Sequence, residues 1–198
     1  LVLPQVAVDL TVPYAAKDGD GARSLWLEIG FGGAEHLLWQ ARQHPEVALI
    51  GCEPFRDGVV KALSGIEAFG LSNVQLHADD ARPLIRWLPD ASLDRVFVLF
   101  PDPWPKRKHV KRRLVAPALL DLLARAMKPG AELRVATDIG DYARTILIAV
   151  MAHREFQWTA KGPDDWRVRG ADWPSTRYEQ KALREGRRPA YFRFRRNG

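Results

Sequence analysis

Leu25-Trp26-Leu27-Glu28-Ile29-Gly30-Phe31-Gly32-Gly33 is the stretch on which the fold turns. Its first five residues read as a buried strand. The glycines that end it let the backbone bend tightly and approach a ligand with no Cβ in the way. A helix over 34–43 follows, with Leu37, Leu38 and Ala41 at helical spacing, and then a second apolar run over 47–52. The nearest template for such a loop is the dinucleotide pattern G-x-G-x-x-G. Here Glu35 stands where that pattern wants its third Gly or Ala, which argues against a pyrophosphate cradle.

Outward from this unit the alternation continues: helix 55–69 stopped by Gly70, strand 74–77, short helix 83–88, strand 93–100, helix 114–127, a break at Lys128-Pro129-Gly130, strand 132–137 and helix 142–153. The pattern predicts an α/β fold, a mostly parallel sheet with helices on both faces, whose ligands bind beyond the carboxyl ends of the strands. Residues 1–24 read as irregular. The tail from Lys161 loses periodicity, and alternation over 190–195 predicts a final antiparallel, hairpin-paired strand. With no repeat, linker or low-complexity stretch, residues 1–198 are expected to form one domain.

The formal charge is +6 and the sequence pI about 9.7, and where the charge sits says more than its size. The run KRKHVKRR at 106–113 holds six basic residues and no acidic one; 177–198 holds eight basic and two acidic; the remainder is net acidic. A hydrophobic fraction of 46% excludes intrinsic disorder. The single cysteine, Cys52, excludes an internal disulfide, and with five dispersed histidines no metal site is expected. No apolar run approaches the roughly 18 residues a membrane span needs, and no signal peptide is recognisable, so the expectation is a cytoplasmic protein without a membrane partner. Because the chain opens at Leu1 instead of Met, an N-terminal piece is expected to have been removed. Monomer and homodimer are not distinguished.

Carboxylates sharpen the glycine loop. Glu28 precedes Gly30 and Gly32, where it would repel a phosphate and welcome a cation. Glu53 follows the second strand near the ~20-residue spacing of an acid that accepts ribose hydroxyls. Asp80, after the third strand, is placed to accept from an adenine amino group or to cap the next helix. A ligand with a ribose, no phosphate, and both an ammonium and a sulfonium is S-adenosylmethionine. Directly after the fourth strand comes Pro101-Asp102-Pro103-Trp104-Pro105, in which three prolines limit conformational freedom around a carboxylate and an aromatic face suited to an extruded base. Lys106, Arg107, Lys108, Lys111, Arg112 and Arg113 adjoin that loop and are candidate phosphate contacts to RNA or DNA.

Taken together, Glu28-Ile29-Gly30-Phe31-Gly32, Gly51-Cys52-Glu53, Phe100-Pro101-Asp102-Pro103-Trp104 with its basic run, Ala136-Thr137-Asp138 and Ser175-Thr176-Arg177-Tyr178-Glu179-Gln180 resemble the bacterial tRNA (guanine-N7-)-methyltransferases over about residues 25 to 196. The resemblance implies a Rossmann-like class I methyltransferase fold, S-adenosylmethionine as cofactor, tRNA as partner and guanine 46 of the variable loop as the methylated base. It also implies that Glu28, Glu53, Asp80 and Asp102 line the cofactor site with Asp102 catalytic. Lys106, Asp138, Thr176, Arg177, Tyr178 and Glu179 match substrate-binding positions. Pro105 departs from the family pattern. Rival readings are an exocyclic-amine methyltransferase, whose loop has two consecutive prolines where this chain has one, a dinucleotide oxidoreductase, disfavoured by Glu28 and Glu35, and a catalytically silent RNA-binding subunit.

Overall fold

Side chains of the first strand alternate between two packed layers, and this decides where the helices lie. The computed structural model describes residues 24–198, so the irregular opening expected over 1–24 lies outside the described residues except for Ser24. Strand β1 (Leu25–Ile29) is buried along its length. Leu25, Leu27 and Ile29 enter one core and Trp26 the other, which is why the strand reads as apolar on both faces. Around it lie β2 (Ala48–Cys52), β3 (Val74–His77), β4 (Leu93–Leu99), β5 (Met127–Thr137), β6 (Phe156–Trp158) and β7 (Ala190–Arg196), in the sheet order β3-β2-β1-β4-β5-β7-β6. The first five strands are parallel, and β7 is antiparallel to both neighbours.

Helices α1 (Glu35–Gln43) and α2 (Arg56–Phe69) cover the layer of Trp26, Leu49 and Phe97. Helices α3 (Ala81–Trp87), α4 (Pro117–Ala126) and α5 (Gly140–Met151) cover the layer of Leu27, Ile50, Val96, Val98 and Leu133. Burying each such side chain contributes about 1.5–3 kcal/mol, so the two layers fix the sheet firmly. The strand order reverses between β1 and β4, which opens a crevice at their carboxyl ends.

Several expected elements are revised. Helix α4 starts at Pro117 rather than at residue 114, since a proline fits the first helical turn, where its missing N–H costs nothing. Helix α3 begins at Ala81 because Asp80 caps it. The Lys128-Pro129-Gly130 break lies within β5 as a bulge, where pairing jumps from Leu93 with Met127 to Arg95 with Glu132. The last strand is antiparallel as expected and pairs with the preceding strand β6, across a long connection instead of a tight turn, while its other edge pairs with β5. The aperiodic tail contains α6 (Asp164–Arg167) and α7 (Arg177–Arg184).

Candidate active site

The turn after β1 is built on backbone that side chains rarely adopt. Gly30 has φ 75° and Gly32 φ 54°, and the Gly32 N–H donates to Glu53 Oε2 at 2.8 Å. Glu53 Oε1 accepts from the Phe55 N–H at 3.0 Å, so this buried carboxylate braces the glycine loop against the start of α2. Each oxygen keeps a second lone pair for a ligand. Gly58 on α2 lies directly against this brace: a Cβ there would sit 2.4 Å from the Gly32 carbonyl oxygen and 2.9 Å from Glu53 Cγ.

Glu28 faces the α1 layer, is 3% exposed, and its Oε2 lies 2.7 Å from His36 Nδ1. Asp80 accepts from the Arg82 N–H at 2.9 Å, and its hydrogen-bonded ion pair with the Arg82 guanidinium outweighs burial, holding its carboxyl below the usual carboxylate range. Cys52, 1% exposed beside both acids, behaves as a small hydrophobe: burial, reinforced by Asp80 and Glu53, pushes its thiol up to about 12.

At the end of β4, Phe100 (φ 51°) and Trp104 (φ 42°) both hold left-handed backbone, an arrangement costing about 1–3 kcal/mol per residue that is concentrated at functional loops. Between them Asp102 is exposed and makes no hydrogen bond or ion pair among the described residues. The Arg112 guanidinium lies 4.9 Å over the Trp104 ring, and the His109 ring meets it edge-on at 5.7 Å. The basic run coils into a 3₁₀ helix, Arg107–Arg112, that leaves Lys106, Arg107, Lys108, Lys111 and Arg112 exposed.

Arg113 departs from that expected role. It is 5% exposed: its Nε donates to the Pro103 carbonyl at 2.9 Å, its other nitrogens bond Thr145 Oγ1 and Asp141, and the guanidinium packs on Tyr142. A guanidinium anchored in this way ties the loop to α5 and is not presented to a phosphate.

These elements enclose one cavity of about 860 Å³. Glu28, Gly30, Gly32, Glu53, Asp80 and Asp102 all line it, together with Trp104 and Arg112. The facing wall is α7, where Arg177 pairs with Glu35 across the glycine loop, a Gly32 Cβ would touch the Tyr178 ring at 3.4 Å, and Lys181 and Arg184 continue the same helical face.

A family model described as "Putative methyltransferase" matches residues 22–191. The chain belongs to this methyltransferase family. The methyltransferase is 54% identical over 199 residues to the tRNA (guanine-N(7)-)-methyltransferase of Rhodospirillum rubrum, covering 94% of this chain and 78% of that relative. It is 54% identical over 192 residues to the protein of the same name from Hyphomonas neptunium, covering 92% and 87%. Among solved structures, the 16S rRNA methyltransferase KamB aligns with a TM-score of 0.63 at 18% identity, over 94% of this chain and 92% of that one. An rRNA methylase from Streptococcus thermophilus gives 0.58 at 11% identity, over 89% and 88%. At such identities the likeness is one of fold, and it is the class I methyltransferase fold expected from the sequence.

The methyltransferase does not bring every expected residue to the cavity. Lys106 stands outside it on the exposed loop, and Asp138 is taken by Arg187. Thr176 reaches the wall but is 8% exposed and caps α7, its Oγ1 accepting from the Glu179 N–H. Glu179 turns inward, 4% exposed, accepting from Arg169 and from the Tyr191 hydroxyl. Of this block Arg177 and Tyr178 keep exposed side chains at the cavity wall, while Glu179 is held inside by Arg169 and Tyr191. Among the cavity residues without a site assignment from the sequence are His36, Phe55, Lys181 and Arg184. The spacing of Lys181 and Arg184 from Arg177, at i+4 and i+7, was their available signal.

Proposed function

We infer that the protein transfers a methyl group from S-adenosylmethionine to N7 of a guanine in tRNA, position 46 of the variable loop, giving 7-methylguanosine. One observation carries this reading: a single cavity joins three carboxylates at the ends of β1, β2 and β3 to an unpartnered Asp102 beside Trp104, with an exposed basic segment leading away from the same loop.

The residues fit the cofactor. An acidic wall attracts an ammonium and a sulfonium and repels phosphate, and about 860 Å³ lies within the roughly 300–1,000 Å³ of small-molecule sites. When bound, S-adenosylmethionine supplies an electrophilic methyl on sulfur. Glu28 receives the ammonium end. Glu53, already braced by two backbone donors, offers its remaining lone pairs to the ribose hydroxyls, and Asp80 accepts from the adenine amino group.

Guanine N7 carries a lone pair and no proton, so no general base is required and placement dominates; well-oriented groups lower a barrier by as much as roughly 7–11 kcal/mol. Asp102 accepts from the guanine N1–H and amino group, aligns the ring and offsets the positive charge that builds on the purine. Trp104 gives the base a stacking surface. Lys106, Arg107, Lys108, Lys111 and Arg112 meet tRNA phosphates, and Arg177 and Tyr178 close on the substrate from α7. On this reading the enzyme is one domain acting in the cytoplasm, with no metal and no membrane partner. No helix among the described residues is long and apolar enough to cross a membrane.

Asp102→Asn keeps the shape and removes the charge. Its kcat on unmodified tRNA is expected to fall by about 100-fold or more, while S-adenosylmethionine affinity changes by less than about threefold. Wild-type turnover in that variant would sink the role given to Asp102.

A further inference from the structure

A line of buried polar groups runs back from the cavity, and its hydrogen bonds have only one consistent direction. The Asp172 carbonyl can only accept, and Gln40 Nε2 lies 3.0 Å from it, so the nitrogen of that amide faces this carbonyl. The same nitrogen lies 3.1 Å from His36 Nε2 and can only donate. His36 Nε2 must then be the lone-pair nitrogen, and the ring proton sits on Nδ1, 2.7 Å from Glu28 Oε2. Glu28, His36 and Gln40 are 3%, 2% and 1% exposed, so bulk water does not compete for these bonds. The far end is fixed as well: the Asp172 carboxylate is held by Arg134 at 2.6 Å and by Arg193 at 3.1 Å. The His36 ring is further packed edge-on against Phe97 at 4.6 Å.

We propose that His36 is a positioning residue for the cofactor's amino-acid end, its Nδ1–H orienting the Glu28 carboxylate that receives the ammonium group, with Gln40 and the Asp172 carbonyl fixing the tautomer. The inference rests on the cofactor reading above and adds to it a residue that touches Glu28 and is not asked to touch the reacting atoms. Glu28 has rotamer freedom that would otherwise be lost on each binding event; the fixed N–H removes that cost beforehand.

The two amide side chains separate the functions of the ring nitrogens. Asn at position 36 places its amide nitrogen where Nδ1 lies, and Gln reaches where Nε2 lies. S-adenosylhomocysteine carries the amino-acid end, and 5′-methylthioadenosine lacks it while keeping the nucleoside and sulfur. Calorimetric titration of the full chain is expected to show His36→Gln weakening S-adenosylhomocysteine about tenfold, with His36→Asn within about threefold of wild type and methylthioadenosine within about twofold in both. Equal losses for the two ligands, an Asn variant as impaired as Gln, or no loss at all overturns the proposal. A wild type that binds no S-adenosylhomocysteine overturns the cofactor reading and this inference with it. If His36→Gln does not fold, ¹⁵N NMR of the wild-type ring decides: a protonated Nδ1 with unprotonated Nε2 is expected, and the opposite tautomer overturns the assignment.

Discussion

Arg113→Ala separates a buried strut from a phosphate contact. Truncation removes the donor to the Pro103 carbonyl, the bond to Thr145, the pair with Asp141 and the packing on Tyr142. Breaking a buried ion pair costs most when it strands a charge, about 3–5 kcal/mol. Asp141 is 72% exposed and is simply rehydrated, so that penalty does not apply. What remains is lost packing and a half-buried carbonyl without its donor, about 2–3 kcal/mol in all. At 2–4 °C per kcal/mol for a chain of this size, Tm should fall by about 4–12 °C. Activity should fall too, because the loop carrying Asp102 loses its tie to α5. The salt dependence of tRNA binding should not change. Differential scanning calorimetry and log K against log salt check both halves. An unchanged Tm together with a shallower salt slope would refute the strut and restore Arg113 to the phosphate-binding set.

The exposed neighbours should behave in the opposite way: replacing Lys106, Arg107 and Lys108 together with Ala should leave Tm and cofactor affinity unchanged and flatten the salt slope by up to about 0.7–0.9 per lost contact, measured by filter binding across salt concentrations. Gly58→Ala gains roughly 1 kcal/mol of helix propensity but drives a Cβ into the Gly32 carbonyl, so cofactor affinity by calorimetry should drop about tenfold or more; wild-type affinity would show that α2 moves away freely. Burial alone would raise the Asp172 carboxyl, but Arg134 and Arg193 outweigh it and hold it low. A carboxyl depressed in the fold gives stability that is complete above its unfolded value near ~3.9 and lost as pH falls through the folded one. Asp172→Asn should therefore lower Tm at pH 7 and converge with wild type in acid; a gap that widens in acid contradicts the pairing. Cys52, with its thiol at about 12, should have a thiolate fraction of about 10⁻⁴ at pH 8 and resist iodoacetamide, and rapid labelling followed by mass spectrometry would contradict its burial.

The five parallel strands could be read from the sequence because β1, β2 and β4 carry apolar runs and each of the five is followed within two residues by a glycine, a proline or an acid, several of which mark the strand ends where the cavity opens. The tail resisted for physical reasons. Strand β6 is three residues long, too short for any period to show, and α6 is four. Helix α7 is mostly polar, and its buried positions are Glu179 and Ala182 while Tyr178 and Leu183 face outward, so no apolar core stripe marks it. A signal was present nonetheless: Thr176-Arg177-Tyr178-Glu179 has the T-x-x-E spacing of a helix start, and the Thr176 side chain does cap α7. By motif alone those four residues form one substrate-binding block, whereas in the fold Thr176 and Glu179 are buried and Arg177 and Tyr178 are exposed. Arg113 was misplaced for a related reason, since a charge run carries no record of which member turns into the core. His36 had no local signature, because its partner Glu28 is eight residues away across the glycine turn.

The central claim is the identity of the methylated atom. Unmodified tRNA incubated with the protein and methyl-labelled S-adenosylmethionine, then digested to nucleosides and resolved by mass spectrometry, should yield the label in 7-methylguanosine, mapping to guanine 46. Label on an exocyclic amino group, or tight tRNA binding with no transfer, would contradict the account.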